Sequence, residues 1–307
     1  MVLPTSRRDL RDPSVADVSE AEFPPLYTAA DRNSLDGQRR FLAAIQLRLA
    51  MLVVAALFGL IIWHRGRADL GAVVAGAAFA VALAAELYLL RRRPDRLWYD
   101  GRAAAESAKT LTWRYLVGGN PFGLTEVSEE EAERLLLHRF RQVAAELRGA
   151  HLVPVSDADD QIGPALRRVR SLPLEERQAL YRSRRIDAQH AWYRGKARWN
   201  ERRATEWSLV LTGLEALGLG GAVLKAMGTF GFDLLGLASA LVGAGAAWVQ
   251  TKQHQNLASA YEVASQELAV IGAHGDWASD EPAWAHFVDQ AEEAISREHT
   301  TWRASHT

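Results

Sequence analysis

Residues 70–90 read LGAVVAGAAFAVALAAELYLL, from Leu70 to Leu90, with one charge, at Glu86. A helix needs roughly 20 predominantly apolar residues to cross the hydrocarbon core of a bilayer, within a range of about 17–25. The stretch has that length, and from Leu70 to Ala85 it is apolar on every side. A helix packed into a soluble core keeps a polar face toward water. Lipid is therefore the expected surroundings.

Three other stretches follow the pattern. Leu49–Trp63 carries no charge and reaches spanning length when extended back to Phe41, with the long stem of Arg48 snorkelling to the interface. Trp207–Met227 carries Glu215 and Lys225, and Thr229–Val249 carries Asp233 near its start. Trp63, Trp207 and Trp248 stand at segment edges, where interfacial aromatics concentrate. The links, His64 to Asp69 and the turn around Gly228, are too short for anything but antiparallel return. The expected fold class is all-α: a polytopic membrane protein with two transmembrane helical hairpins and long helices outside the bilayer.

Averages over the 307 residues conceal this, because 24% are charged against 49% hydrophobic. A net charge of −1 argues against nucleic acid as a partner, which would call for a basic excess. With no cysteine, disulfides and thiolate chemistry are excluded. Arginine and lysine set the orientation. Arg32, Arg39, Arg40 and Arg48 lead into the first span, Arg91, Arg92 and Arg93 follow the second, and Arg194, Lys196, Arg198, Arg202 and Arg203 precede the third. The turns hold Arg65 and Arg67, with Lys225 close to the second. Both termini are thus expected in the cytoplasm of a cell whose inner membrane the chain crosses, with membrane lipids as its first partners. No cleavable signal peptide is expected, since residues 1–40 are polar and mixed in charge.

Outside the spans, residues 1–25, with Pro4, Pro13, Pro24 and Pro25, read as disordered. A first unit covers 26–148, with spans 49–63 and 70–90 and helices over 96–116 and 128–147. Its last helix opens on a capping box from Ser128 to Glu131 and sets Leu135, Leu136, Phe140 and Val143 on one face. A linker covers 149–172, where Leu152–Val155 is the one strand candidate. The second unit, 173–307, opens on a helix from Pro173 that holds no proline and runs straight into span 207–227; span 229–249 likewise continues toward Gly275. The units repeat one plan of helix, hairpin, helix, with Ala105-Glu106-Ser107-Ala108 and Tyr261-Glu262-Val263-Ala264 at matching places.

No phosphate loop, nucleophile elbow or zinc-binding helix occurs, and the nine histidines are scattered rather than spaced as ligands. Gly118 in GGNPFG reads as a helix C-cap rather than a phosphate cradle, no strand preceding it. Catalytic residues, metals and cofactors are expected to be none. Charges within the spans are the sharper candidates, since an acidic or basic residue at a helix centre costs about 2.5–3.5 kcal/mol. Glu86 lies one turn from Arg91 and reads as interfacial or as pore lining. Asp233 reads as an N-cap and Lys225 as able to snorkel. Glu215, deepest of all, lines a pore or cavity or bonds a neighbouring helix. Arg91, Arg92, Arg93, Trp63, Trp207 and Trp248 are the interface anchors. Ala72, Gly76, Ala80 and Ala84 form a small-residue ladder, as do Gly236, Ala240 and Ala244, for packing within one chain or between chains. Four thin helices enclose little space, so a homo-oligomer is expected.

The order of Pro24–Tyr27, a hairpin, WYDGRAAAESAKTLTWRY with GGNPF (Trp98 to Phe122), a second hairpin with QTKQHQ (Gln250 to Gln255) and EEAISREHTTW (Glu292 to Trp302) resembles tandem SLATT domains. These are bacterial two-transmembrane-helix domains associated with SMODS nucleotidyltransferases and SLOG nucleotide sensors. The resemblance covers about 24 to 303 and implies a membrane effector of conflict or antiphage systems, with a nucleotide signal or another defence component as partner. It brings no catalytic residues, and no fused SMODS or SLOG domain shows the trigger. Two functions remain: an oligomeric channel-like effector, or a non-conducting scaffold or sensor whose stalk helices recruit a cytoplasmic partner.

Overall fold

The computed structural model describes residues 22–61, 63–65, 68–146, 161–229, 231–273 and 278–304. The strand candidate Leu152–Val155 and residues 1–21 lie outside them. Pro25, with φ already helical and no N–H to leave unsatisfied, opens α1, which runs Pro25–Gly59. At about 1.5 Å per residue its 35 residues reach about 50 Å, well beyond a hydrocarbon core of about 30 Å. Only its second half can lie in lipid. The turn that follows holds a two-residue antiparallel ladder, β1 (His64–Arg65) with β2 (Ala68–Asp69), where the sequence reading saw no strand. Helix α2 (Leu70–Arg92) returns, with Asp69 accepting hydrogen bonds from the N–H of Gly71 at 2.9 Å and of Ala72 at 3.3 Å.

Arg93 then takes a left-handed conformation, φ 44°, and Pro94 starts α3 (Pro94–Val117) in a new direction. Helix α4 (Glu129–Glu146) starts on the expected cap: Ser128 Oγ accepts from the N–H of Glu131 at 3.3 Å. Within the stretch expected as linker lies a short α5 (Pro164–Arg170), whose Leu166 and Val169 are buried. Helix α6 (Leu174–Tyr181) passes through a π-helical segment, Arg182–Asp187, into α7 (Ala188–Ala226), one continuous rod of 53 residues. Helix α8 (Leu234–Lys252) returns and breaks at Gln253, φ 48°, before α9 (His254–Ala273) and α10 (Glu281–Ala304).

The two left-handed joints, Arg93 and Gln253, fix the internal repeat. A non-glycine residue in that conformation costs roughly 1–2 kcal/mol, and each hairpin uses one at the same point. Aligned on these joints, Ala104, Ala105 and Ala108 fall on Ala264, Ser265 and Leu268, all buried. The register differs by one helical turn from the one that Ala105–Ala108 and Tyr261–Ala264 suggest by sequence, because burial, not residue identity, is what repeats.

Four helices are long and apolar enough to cross a membrane. They stand in a row, α2–α1–α8–α7, with α1 and α8 joining the hairpins and α2 and α7 at the ends. Small residues set the spacing inside the second hairpin: a Cβ on Gly221 would lie 2.5 Å from Leu234 Cβ, and one on Gly218 2.9 Å from Ala238 Cβ. Beyond the row, α3 lies along the first half of α1, so close that a Cβ on Gly37 would sit 2.5 Å from the backbone N of Trp98. Ser34 Oγ donates across that seam to the Trp98 carbonyl at 3.1 Å. Helices α3, α4, α5, α6, α9 and α10 share one apolar core, built on Trp113, Tyr115, Phe140, Leu166, Tyr181, Leu268 and Trp284. The two units are therefore fused outside the bilayer.

Candidate functional site

Three of the four charges in the spans have partners. Arg48 Nη1 lies 2.9 Å from Glu86 Oε2, an ion pair between α1 and α2 without a well-aligned hydrogen bond. Asp233 occupies the N-cap position of α8, but its side chain makes no cap bond. It turns to Lys225 instead, whose Nζ is 3.2 Å from its Oδ1. Asp69 thus caps its helix, whereas the Asp233 carboxylate pairs with Lys225. Glu215 is different. It lies exposed, about 12 Å along α7 from Trp207 at 1.5 Å per residue, with no hydrogen bond or ion pair among the described residues.

The anchors fall at the two ends of the row. Trp63 is exposed at the first turn, while Trp207 and Trp248 stand half-buried at the opposite end, with Lys252 Nζ 5.3 Å over the Trp248 ring. Arg91, Arg92 and Arg93 are exposed there as well, Arg93 bonded to Asp95. The small-residue ladders lie elsewhere than within their hairpins. Helix α2 packs on α1 through Gly71, Ala78, Ala82 and Ala85, whereas Ala72, Gly76, Ala80 and Ala84 are exposed. At about 100° per residue the two sets point to opposite sides of the helix, and α1 takes the first. On α8 the buried position is Ala238, which faces α7, whereas Gly236, Ala240 and Ala244 are half-buried on the far side of the helix.

The extramembrane core holds a second constellation, which the sequence reading missed. Helix α3 ends at Gly118 in a left-handed cap, φ 75°, and its last carbonyls point into the core. Arg170 Nη1 donates to the Tyr115 carbonyl at 2.8 Å; Arg177 Nη1 and Trp284 Nε1 both donate to that of Val117 at 2.7 Å. Two cations thereby meet the negative end of a helix dipole. Arg177 also bonds Glu281 at the start of α10. The backbone turns through a cis Asn120–Pro121 peptide, and the Asn120 N–H reaches the Ala285 carbonyl at 3.0 Å.

One turn deeper, Arg185 grips Glu292 with both ends of its fork, Nε to Oε1 at 2.8 Å and Nη2 to Oε2 at 2.6 Å. Tyr181 Oη donates to Oε1 at 3.0 Å and Thr110 Oγ1 to Oε2 at 2.9 Å. Burial works against the Arg185 charge, but Glu292 outweighs it and raises the pKa above the ordinary guanidinium value. Burial, then the Glu292 charge, drives the Tyr181 phenol well up, so it remains a donor. Arg185 belongs to the π-helical segment, Glu292 to α10 and Thr110 to α3. The rod that becomes the third span is thus clamped to both units where its helical winding is irregular.

Alongside that rod, α7 and α9 border a groove of about 760 Å³. His190, Arg194 and Arg198 line it with Glu201, Glu262 and Gln266, and it reaches Ser208 and Leu209 at the membrane end. Among the described residues no group of three His, Cys, Asp or Glu could hold a metal ion.

The family model described as SMODS and SLOG-associating 2TM effector domain 3 matches residues 24–178, and that described as SMODS and SLOG-associating 2TM effector domain 1 matches residues 181–302. No curated protein and no solved structure matches the chain.

Proposed function

The chain belongs to the SMODS and SLOG-associating 2TM effector family, with two such domains in tandem, and from that premise we propose that it is a non-enzymatic effector of bacterial antiphage defence which assembles into an oligomer and opens a leak across the inner membrane. Both hairpins enter from the cytoplasm, where the shared helical core receives the signal. The reading rests above all on Glu215. An acid in mid-span without a partner costs about 2.5–3.5 kcal/mol in lipid, and a row one helix thick offers it no interior. Water between subunits removes that cost.

The rod from Leu174 to Ala226 supplies the coupling. A π segment carries one residue more than regular α-helix would. Drawing it out would turn everything beyond it, Glu215 included, by about 100°. The clamp on Arg185 holds the segment in its present winding, so a ligand or partner that competes for Glu292 or displaces α10 rotates the third span.

Purified protein in liposomes loaded with dye or potassium tests the reading. Release should follow reconstitution with the trigger, or disruption of the Arg185–Glu292 clamp by Glu292→Gln, and Glu215→Leu should abolish it. Intact vesicles throughout, with a monomeric particle, would overturn it. The groove between α7 and α9 favours a second reading, a scaffold or sensor that recruits a cytoplasmic partner there. A stable partner that co-purifies, together with unchanged behaviour of Glu215→Leu, decides for that one.

A further inference from the structure

Each hairpin has an outgoing helix, α1 or α7, and a returning helix, α2 or α8. Within the chain the hairpins meet through one pairing: the outgoing helix of the first, α1, lies against the returning helix of the second, α8. The units being repeats, the same pairing exists a second time, as α7 with α2. One chain cannot make it, for these are the two ends of the row.

Both unpaired edges are shaped for a close helix contact. On α2 the side opposite the α1 contact carries Ala72, Gly76, Ala80 and Ala84, all exposed. On α7 the side opposite the α8 contact carries Ala216 and Gly220, also exposed. A Cβ on Gly76 or Gly220 would meet nothing within 4 Å. Small residues spaced in fours let antiparallel backbones approach closely where no hydrophobic drive exists. The register agrees as well. Setting Leu70 level with Ala226 at one end brings Arg91 level with the Trp207 region at the other. Ala80 then stands opposite Ala216, and Gly76 opposite Gly220.

We propose that copies of this chain join head to tail, the outer edge of α2 in one seated on the outer edge of α7 in the next. This rests on the oligomeric reading above and names its interface. The contact joins two different surfaces, so it is heterologous and closes into a ring when the rotation per copy allows. Closure also gives Glu215 a place. Its position is about 100° around α7 from Ala216, on a flank of the row rather than on its edge. In a ring built from such rows, one flank faces lipid and the other the lumen, and the acid belongs to the lumen.

The chain contains no cysteine, so disulfide trapping is clean. Ala80→Cys and Ala216→Cys combined in one full-length chain, oxidised in membranes with copper phenanthroline, should give a ladder of covalent species beyond the dimer. Either variant alone should give none. Dimers from Ala216→Cys or Ala80→Cys alone would mean like edges meeting and would overturn the proposal. An oligomer by native mass in lipid discs with no cross-link from this pair, nor from Gly76→Cys with Gly220→Cys, would overturn the interface and leave the oligomeric reading standing. A monomer in the discs would overturn both.

Discussion

Arg185 and Glu292 are bound to each other across the extramembrane core with side chains 1% and 0% exposed, the best-sealed ion pair among the described residues. Taking either ion out of water costs several kcal/mol, and only the mutual contact with its added hydrogen bonds offsets that. Glu292→Ala should therefore lower the stability of the core by about 3–5 kcal/mol, because it leaves a buried cation unpaired. Arg185→Met with Glu292→Leu should recover most of the loss. Unfolding in detergent, followed by circular dichroism, measures both. If the double replacement unfolds as early as the single one, the pair holds the fold by more than its charges.

The tyrosines of the core predict an alkaline limit. Burial, then the charge of Glu133, pushes the Tyr115 phenol up to about 12, although Arg170 pulls the other way. A folded pKa above the unfolded value of about 10 means stability is complete below pH 10 and is lost as pH rises toward 12. Tyr115→Phe should change little at neutral pH, since the hydroxyl makes a single long contact among the described residues, 3.5 Å to Glu133 Oε1. It should flatten the decline between pH 10 and 12 by up to about 2–3 kcal/mol. Chemical unfolding of both proteins across that window decides the matter, and parallel curves would refute it.

Gly118 should not tolerate a side chain. Its φ of 75° lies in the region that other residues rarely adopt, and an added Cβ would meet the Leu124 side chain and lie 2.9 Å from Arg177 Nη1. Gly118→Ala is expected to cost about 1–2 kcal/mol from the backbone alone, with more from the displaced arginine. Gly195, inside α7 with open space around its Cβ, is the control. There the same change should be neutral or stabilising by up to about 1 kcal/mol. Equal losses at the two sites would show that neither conformation nor contact governs the effect.

The spans were legible because lipid imposes a requirement of length and composition that no neighbour can override. Continuity of the third span with its stalk was legible too, no proline falling between Leu174 and Ala226. What separated Asp69 from Asp233 was not: both precede a returning helix, yet the first caps it and the second pairs with Lys225. The four-residue ladder on α2 suited a seam within the chain or one between chains, and the set Gly71, Ala78, Ala82 and Ala85 was equally available for the first, so only the placement of α1 settles between them. Arg177 and Arg185 were hidden for a related reason. In the run YRSRRID every arginine looks solvated, and only the arrival of α10, about a hundred residues later in sequence, buries two cations from this part of the chain.

Orientation is open to direct chemistry. Ala68 in the first turn and Arg168 on α5 are exposed and stand at opposite ends of the structure. In spheroplasts, Ala68→Cys should react with a membrane-impermeant maleimide, and Arg168→Cys only after permeabilisation. The reverse pattern would place the helical core outside the cell, where no cytoplasmic signal could reach it, and would remove the basis for the effector reading.

The proposed pore carries a selectivity that Glu215 would set. A ring of carboxylates at mid-depth raises the local concentration of cations and repels anions, strongly so where the walls are of low dielectric. Currents through reconstituted protein should then reverse near the potassium equilibrium potential in a potassium chloride gradient. Glu215→Gln should weaken that preference, and Glu215→Lys should move the reversal potential toward that of chloride, since the same positions would now carry the opposite charge. The Arg48–Glu86 pair makes the control: joined at 2.9 Å, it presents little net charge, and removing both charges together, Arg48→Gln with Glu86→Gln, should shift the reversal potential little. If that double variant changes selectivity and the Glu215 variants do not, the conducting path runs along the first hairpin rather than the second.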